Sequence, residues 1–220
     1  MSHYRTGLLL DDIFRAHDTG AGHPECPERY VAITGALTKQ GITDEAIALT
    51  QRPAEPDDVL LCHTRSYFET AKQDISAGAH ELSTGDTQVC AKSFDIALRA
   101  VGGVMNAVDE VMSGKIRNAF CAVRPPGHHA TRDESMGFCM VSNVAVAAAS
   151  LADRGERVLI LDYDAHHGNG TQDIFMRTAA SCSSARTSRR GIPLPVMRKS
   201  TARARGAVAR SMLHCLQVRA

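Results

Sequence analysis

Apolar residues recur along this chain with two periods, one typical of helices and the other of buried strands. Between Ser93 and Met112 they fall on one helical face, and Ser113-Gly114 follows as a stop signal. Pro27 to Gln40 also predicts a helix, because proline is favoured in a first turn and Gly41 is suited to end it. The pattern therefore predicts long amphipathic helices in the first half of the chain.

Two short apolar runs, Ala119 to Val123 and Val158 to Leu161, have the length and β-branched content of buried strands. Between them lies Asn143 to Leu151, an alanine-rich segment of helical character that is followed by the polar stop Asp153-Arg154-Gly155. This order predicts a β-α-β unit with parallel strands and a right-handed crossover. Both strands then end at the same carboxyl edge, where open α/β sheets bind their ligands.

Polar side chains follow the second strand at alternate positions. Asp162, Asp164 and His166 are two residues apart, and side chains at that spacing on a strand point to the same side. Carboxylate oxygen and imidazole nitrogen are both ligands that Zn²⁺ accepts in a tetrahedral shell. The pattern predicts a zinc site, and the plain alternative is a polar turn between a strand and a loop.

A second polar cluster follows the first strand. The segment Arg124 to Ala130 reads RPPGHHA and places His128 and His129 side by side. Imidazole titrates near neutral pH and can carry protons in either direction. Because both clusters are expected at one edge of the sheet, the sequence predicts a site that combines a metal with a pair of histidine bases.

Three ordered stretches, RPPGHHA, MGFCMVSNVAVAA and LDYDAHHGNGTQDIF, resemble the histone deacetylase and acetylpolyamine amidohydrolase family. The opening is similar too, with Gly22-His-Pro-Glu25 and Pro27-Glu-Arg-Tyr30, and HHGNGTQ is closer to class II and bacterial members. The resemblance covers roughly residues 6–175. It implies a three-layer α/β/α domain with a mainly parallel sheet, of the arginase and deacetylase type, in truncated form.

The resemblance assigns roles to the polar residues. Asp164 and His166 match two zinc ligands, and His128 and His129 match the pair that orients and deprotonates the attacking water. Asp162 matches the carboxylate that holds the first histidine of the pair. The family also has a structural potassium site, to which the positions of Asp162, Asp164 and His166 contribute.

Other positions follow from the same resemblance. Asn169 stands where class I members have an aspartate behind the second histidine, so His129 is expected to be less basic than in class I. Gly137 and Phe138 match the wall of the narrow tunnel that takes the acyl-lysine stem. Asp86 falls in a loop that forms the substrate rim in the family and is a candidate substrate contact.

The implied function is a zinc-dependent deacetylase that hydrolyses the amide of acetyl-lysine in histones or other proteins, or of acetylated polyamines. The sequence does not separate these substrates. Arginase-like metal hydrolases share the Asp-Ala-His element at residues 164–166, but they need two manganese ions and more carboxylates. The stretch RPPGHHA favours the deacetylase.

The charge of the chain divides at residue 176. Residues 176–220 contain nine Arg, one Lys and no Asp, Glu or Tyr, whereas residues 1–175 hold 15 basic and 24 acidic residues. The family pattern continues with another zinc aspartate and a tyrosine, which the basic segment does not supply. Back-translation in an overlapping frame permits a strand, His, Tyr-Pro, a glycine-rich loop and an N-V-P-L-P stretch, in the order of the family.

We therefore expect residues 1–175 to be the N-terminal portion of a deacetylase domain, and 176–220 to be a disordered basic tail from a shifted frame. On this hypothesis the chain is incomplete and inactive. The alternatives are a non-catalytic truncated product, or a regulatory protein whose basic arm binds nucleic acid. Direct binding of nucleic acid is the weakest of these, because a basic arm is expected to follow a complete domain.

Cysteine usage and hydropathy favour a cytoplasmic protein that does not bind membranes. The chain has seven cysteines, an odd number, with no Cys-x-x-Cys, so neither a disulfide framework nor a cysteine zinc site is indicated. Gly7 to Leu10 is too short for a signal peptide and is followed by Asp11 and Asp12. No apolar run approaches the ~18 residues that a membrane span needs.

Overall fold

A computed structural model of the protein describes residues 6–177, 182–186 and 215–217. Most of the basic segment 176–220 lies outside these residues, so the predictions made for it stay predictions. The described elements, in chain order, are β1 (Thr6–Leu9), a 3₁₀ helix (Asp12–Ala16), α1 (Pro27–Lys39), α2 (Ile42–Glu45), β2 (Ile47–Leu49), α3 (Pro56–Leu60), α4 (Arg65–Ser76), α5 (Ser93–Met112), β3 (Asn118–Cys121), α6 (Asn143–Asp153), β4 (Val158–Asp162), α7 (Asn169–Arg177), β5 (Cys182–Arg186) and β6 (Cys215–Gln217).

The strands form two sets of parallel ladders. One sheet has the order β2-β1-β3-β6, with Gly7 opposite Ile47 on one side and opposite Ala119 on the other. The other set pairs β4 with β5, from Val158 opposite Cys182 onwards. Every ladder among the described residues is parallel, as expected for the predicted class of fold.

The predicted β-α-β unit exists as β3, α6 and β4, but its two strands are not hydrogen-bonded neighbours. The side of β3 that faces away from β1 pairs with β6, so that position is not open to β4. The expectation of a buried second strand is also only partly right. Ile160 is buried, whereas the side chains of Leu159 and Leu161 are about half exposed, at 52% and 50%.

The first helix follows the sequence prediction to within one residue. Proline occupies its first position, and the backbone amide of Gln40 donates to the carbonyl of Ala36. Gly41 adopts the left-handed conformation, with φ 72°, which lets the chain leave the helix without the steric penalty of a Cβ. The tight turn therefore depends on glycine at this position.

Helix α5 has the predicted bounds and is the centre of the core. Its two internal glycines lie where the backbone approaches other elements closely. A Cβ on Gly102 would lie 2.0 Å from the carbonyl oxygen of Arg52, and one on Gly103 would lie 2.6 Å from Leu9. These glycines allow α5 to cross β1 and the segment after β2, and α6, rich in buried alanines, packs against it.

We predict that Gly102→Ala lowers the free energy of unfolding by about 1–3 kcal/mol, because the added methyl group meets rigid backbone rather than a flexible side chain. Gly35→Ala in α1 is the matched control. It has nothing within 4 Å of the added Cβ and is expected to stabilise by about 0.5–1 kcal/mol through helix propensity. Urea unfolding measures both, and equal effects of the same sign would contradict the prediction.

No helix within the described part of the chain combines the length and apolar character needed to cross a bilayer.

Candidate active site

The two adjacent histidines lie in the loop that follows β3. Their ring centroids are 4.0 Å apart. The carbonyl oxygen of His128 accepts hydrogen bonds from the backbone amides of Gly170 (3.0 Å) and Thr171 (3.2 Å), at the start of α7. These amides belong to the first turn of a helix, where no partner within the helix is available to them. The loop and α7 therefore fix each other.

His128 is held by the carboxylate at the end of β4. Its Nδ1 lies 2.9 Å from Oδ2 of Asp162. Partial burial acts to raise the pKa of Asp162, but hydrogen bonds from His128 and from the Asp164 amide outweigh it, so the pKa is lowered. An ionised carboxylate only accepts hydrogen bonds, so Nδ1 of His128 carries the proton. In the neutral ring the lone pair is then on Nε2, and in this tautomer Nε2 can accept a proton.

His129 is held by an amide. Its Nδ1 lies 2.6 Å from Oδ1 of Asn169, and the Asn169 side-chain nitrogen donates to the carbonyl of His129 at 3.4 Å. Gly137 lies against the imidazole ring, since a Cβ there would come within 2.4 Å of His129 Cδ2. The ring is thus oriented from its Nδ1 side and packed along one edge.

The side chains of Asp164 and His166 lie next to each other in the loop after β4. Oδ1 of Asp164 accepts from the His166 amide (2.8 Å) and lies 3.0 Å from His166 Nδ1. The two side chains are thus at hydrogen-bond distance, and two donors to one tetrahedral zinc ion would lie slightly farther apart, at about 3.4 Å. The His166 ring lies 6.2 Å from that of His129.

Strand alternation suggested that Asp162, Asp164 and His166 face one point, whereas Oδ2 of Asp162 lies against Nδ1 of His128, the contact that the family resemblance implies. Among the described residues, no group of three or more His, Cys, Asp or Glu side chains is arranged to hold a metal ion. The described part of the site therefore holds two oriented histidines beside the adjacent pair Asp164 and His166.

The predicted tunnel residues form a strained turn beside the histidines. Phe138 has φ 68°, the one positive value at a non-glycine residue in the described ranges. Oδ1 of Asp86, the candidate rim residue, accepts from the Gly137 amide at 2.8 Å and so ties its loop to this turn. The ring of His23, which sequence reasoning left without a role, packs edge-on to Phe138 at 4.5 Å.

A cleft of about 500 Å³ lies at this end of the strands, and its walls include Tyr30, His128, Phe138, Asp162 and His166. The cleft brings together the residues that the sequence placed after two different strands. It has the size of a small-molecule site and combines apolar walls with a few polar groups.

A buried ion pair beside the cleft was missed by the sequence reasoning. Arg124 donates from Nε and Nη2 to the two carboxylate oxygens of Glu25, at 2.6 and 2.7 Å. Both residues lie inside motifs that the sequence singled out, GHPE and RPPGHHA, which is the only signal that could have found them. Their pairing joins positions 99 residues apart.

Comparison with known proteins identifies the family. Residues 23–184 match the histone deacetylase domain, and the chain belongs to that family. It is 36% identical to Histone deacetylase 5 of Arabidopsis thaliana over 186 residues, which cover 79% of this chain and 28% of that protein. It is 40% identical to a histone deacetylase-like amidohydrolase of Pseudomonas aeruginosa over 159 residues, 71% of this chain and 42% of the relative.

Polyamine deacetylase HDAC10 of Homo sapiens is 34% identical over 181 residues, 77% of this chain and 25% of that protein. The crystal structure of the HDA15 HD domain superimposes with a TM-score of 0.77 at 30% identity, over 84% of this chain and 54% of that one. The chain thus spans about half or less of these proteins. The shared fold confirms the predicted α/β class.

Proposed function

We propose that the described residues form the proton-transfer and metal-binding part of a zinc-dependent deacetylase site. The observation that carries the proposal is the pairing of two adjacent histidines with Asp162 and Asn169, next to Asp164 and His166. One end of each imidazole is fixed by an acceptor, as in sites that move protons at a defined atom. Membership of the histone deacetylase family supports the same reaction class.

Asp164 and His166 would hold the zinc ion, because a carboxylate and an imidazole are both zinc ligands and these two side chains are adjacent in the loop after β4. The chemistry that zinc supplies when bound is polarisation of the acetyl carbonyl and acidification of a water molecule. A structural potassium ion near Asp162 stays a prediction from the family resemblance.

The remaining steps fall to the residues of the chain. His128 and His129 orient a water molecule and take up its proton, and Asp162 keeps Nδ1 of His128 protonated so that Nε2 can accept. The proton is then available for the leaving amine. Gly137 packs against the ring of His129 and Phe138 lines the cleft, so the two residues would exclude water from the stem of the substrate.

Two substrate classes suit this arrangement, acetyl-lysine in a peptide and an N-acetylated polyamine. The names of the relatives support both, since they include histone deacetylases and a polyamine deacetylase. The amide to be cleaved has the same chemistry in either case. What differs is the group outside the cleft, so the two substrates are best compared directly.

The proposal is tested by measuring acetate release from an acetyl-lysine peptide and from an acetylated polyamine, with zinc supplied, removed by a chelator and restored. Hydrolysis that follows the zinc content of the protein would support the proposal and contradict the expectation that this chain is inactive. Asp164→Asn is expected to weaken zinc binding at least about 10-fold, whereas the exposed Asp95→Asn leaves it unchanged. Zinc retention without hydrolysis would favour the non-catalytic alternative, and zinc binding unaffected by Asp164→Asn would contradict the ligand assignment.

A further inference from the structure

The buried ion pair between Glu25 and Arg124 uses the full donor geometry of arginine. The two residues are only 3% and 5% exposed. Besides its two bonds to Glu25, Arg124 donates from Nη1 to the carbonyl of Phe14 at 2.9 Å. A two-pronged pair of this kind fixes the direction of the side chain as well as its distance. Arg124 is therefore locked to the segment that precedes α1.

The nearby His17 does not carry a positive charge that would balance the carboxylate of Glu25. Its Nε2 lies 3.6 Å from the carboxylate, and its Nδ1 lies 2.8 Å from Oγ of Ser93. Burial lowers the pKa of His17 to about 4, against the opposing attraction of Glu25, so the ring is neutral near pH 7. The negative charge of Glu25 is balanced by Arg124, and each charge depends on the other.

The chain between Arg124 and His128 has little freedom to absorb a displacement. The side chain of Asn143 donates to the carbonyl of Pro125 at 3.2 Å. Gly127 fits tightly against α6, since a Cβ there would lie 2.6 Å from the carbonyl of Val141 and 2.7 Å from the amide of Asn143. The segment that leads to the histidines is therefore held by the start of α6 on one side and by the ion pair of Arg124 at its beginning.

The main chain of Glu25 reaches the other wall of the cleft. Its carbonyl accepts from the hydroxyl of Thr19 and lies 2.9 Å from Nδ1 of His23. The ring of His23 is the one that packs edge-on to Phe138. One residue thus connects the loop of the two histidines, through its carboxylate, with the tunnel wall, through its carbonyl.

We propose that Glu25 and Arg124 are positioning residues, whose ion pair sets the place of His128 and His129 relative to the tunnel wall. The proposal rests on the deacetylase function proposed above. Apolar residues of similar volume would fill the same space, often without loss of stability. The pair differs from such residues in that it specifies a single orientation of the loop, which the reaction needs and folding does not.

The test separates stability from positioning. Glu25→Gln removes the charge at nearly constant shape, and the double variant Glu25→Gln, Arg124→Met removes both charges, so that neither is left buried alone. Asp95→Asn breaks an exposed pair with Arg99 and serves as the control. Thermal unfolding, kcat and KM for the acetyl-lysine peptide, and the NMR resonances of the histidine rings are measured for each protein.

We expect the double variant to unfold cooperatively, with kcat about 10- to 100-fold lower and KM little changed, since the groups that contact substrate are intact. The ring resonances of His128 and His129 are expected to move in both Glu25 variants and to stay in place in Asp95→Asn. A folded double variant with the kcat and resonances of the unsubstituted protein would overturn the proposal.

The NMR measurement does not depend on turnover. If neither the unsubstituted protein nor any variant releases acetate but the histidine resonances shift in the Glu25 variants, the deacetylase function fails while the positioning role is retained. If the unsubstituted protein is active and the resonances of the variants do not shift, the positioning role fails alone. Should Glu25→Gln not fold because Arg124 is left unpaired, the double variant decides between these outcomes.

Discussion

Replacing His129 by alanine is expected to slow acetate release from an acetyl-lysine peptide by about 10²- to 10⁴-fold, the range that a positioned general base contributes. Nδ1 of its ring lies 2.6 Å from Oδ1 of Asn169, and the ring centroid lies 4.0 Å from that of His128 and 6.2 Å from that of His166, the proposed zinc ligand. Alanine removes the proton acceptor and leaves the Asn169 amide without its imidazole partner. The rate at saturating substrate measures this effect.

The matched control for this substitution is His80→Ala. His80 is exposed and is not among the residues that line the cleft, so its replacement is expected to leave the rate unchanged. Asn169→Ala is expected to fall between the two, with a loss of about 10- to 100-fold, because it removes only the group that orients His129. Undiminished hydrolysis by the His129 variant would remove the proposed base.

Acidification is expected to destabilise the protein steeply between about pH 6.5 and pH 4. Burial lowers the pKa of both His17 and His63 from 6.5 to about 4, so each ring stays neutral in the fold. Below pH 6.5 the unfolded chain takes up protons that the folded chain refuses, which favours unfolding. Across this window each histidine lowers the free energy of unfolding by about 1.4 kcal/mol for each pH unit of acidification, and above the window neither changes it with pH.

Urea unfolding at a series of pH values measures this dependence. The slope of the free energy of unfolding against pH, between pH 6.5 and pH 4, has equal contributions from the two histidines. His63→Asn is expected to remove one of these two contributions. The Asn variant also loses the bond from the Ser142 amide to Nε2 of His63, 3.0 Å long, so its stability at pH 7.5 is the reference for its own series. His80→Asn should leave the slope as it is, and an equal change in both variants would disprove the assignment.

The parts of the fold that follow from local sequence were predicted well. The bounds of α5 coincide with the apolar stripe from Ser93 to Met112, and α1 ends where Gly41 permits the left-handed turn. These features depend on residues a few positions apart. The place of His128 and His129 in the loop just after β3 was also predicted, because it depends only on where that strand ends and not on how the strands pair.

Features that depend on distant partners were not predicted. The neighbour of β3 is decided by which strand occupies its open side, and nothing in the sequence near β3 shows that β6 will take that place. The Glu25 and Arg124 pair joins segments 99 residues apart, and neither residue shows in the sequence which opposite charge it will meet. Strand alternation alone does not give the direction of Asp162, because the alternation does not continue into the loop, whereas the family resemblance did point to its contact with His128.

The contact between the His128 carbonyl and the first amides of α7 is made by the main chain alone. Every amino acid has that carbonyl, so the junction between loop and helix is indifferent to the side chain at position 128. The imidazoles and the main-chain junction that holds their loop are consequently independent of each other. A descendant that exchanged both histidines for other residues would lose its chemistry in one step and still keep this junction, ready for a different set of side chains.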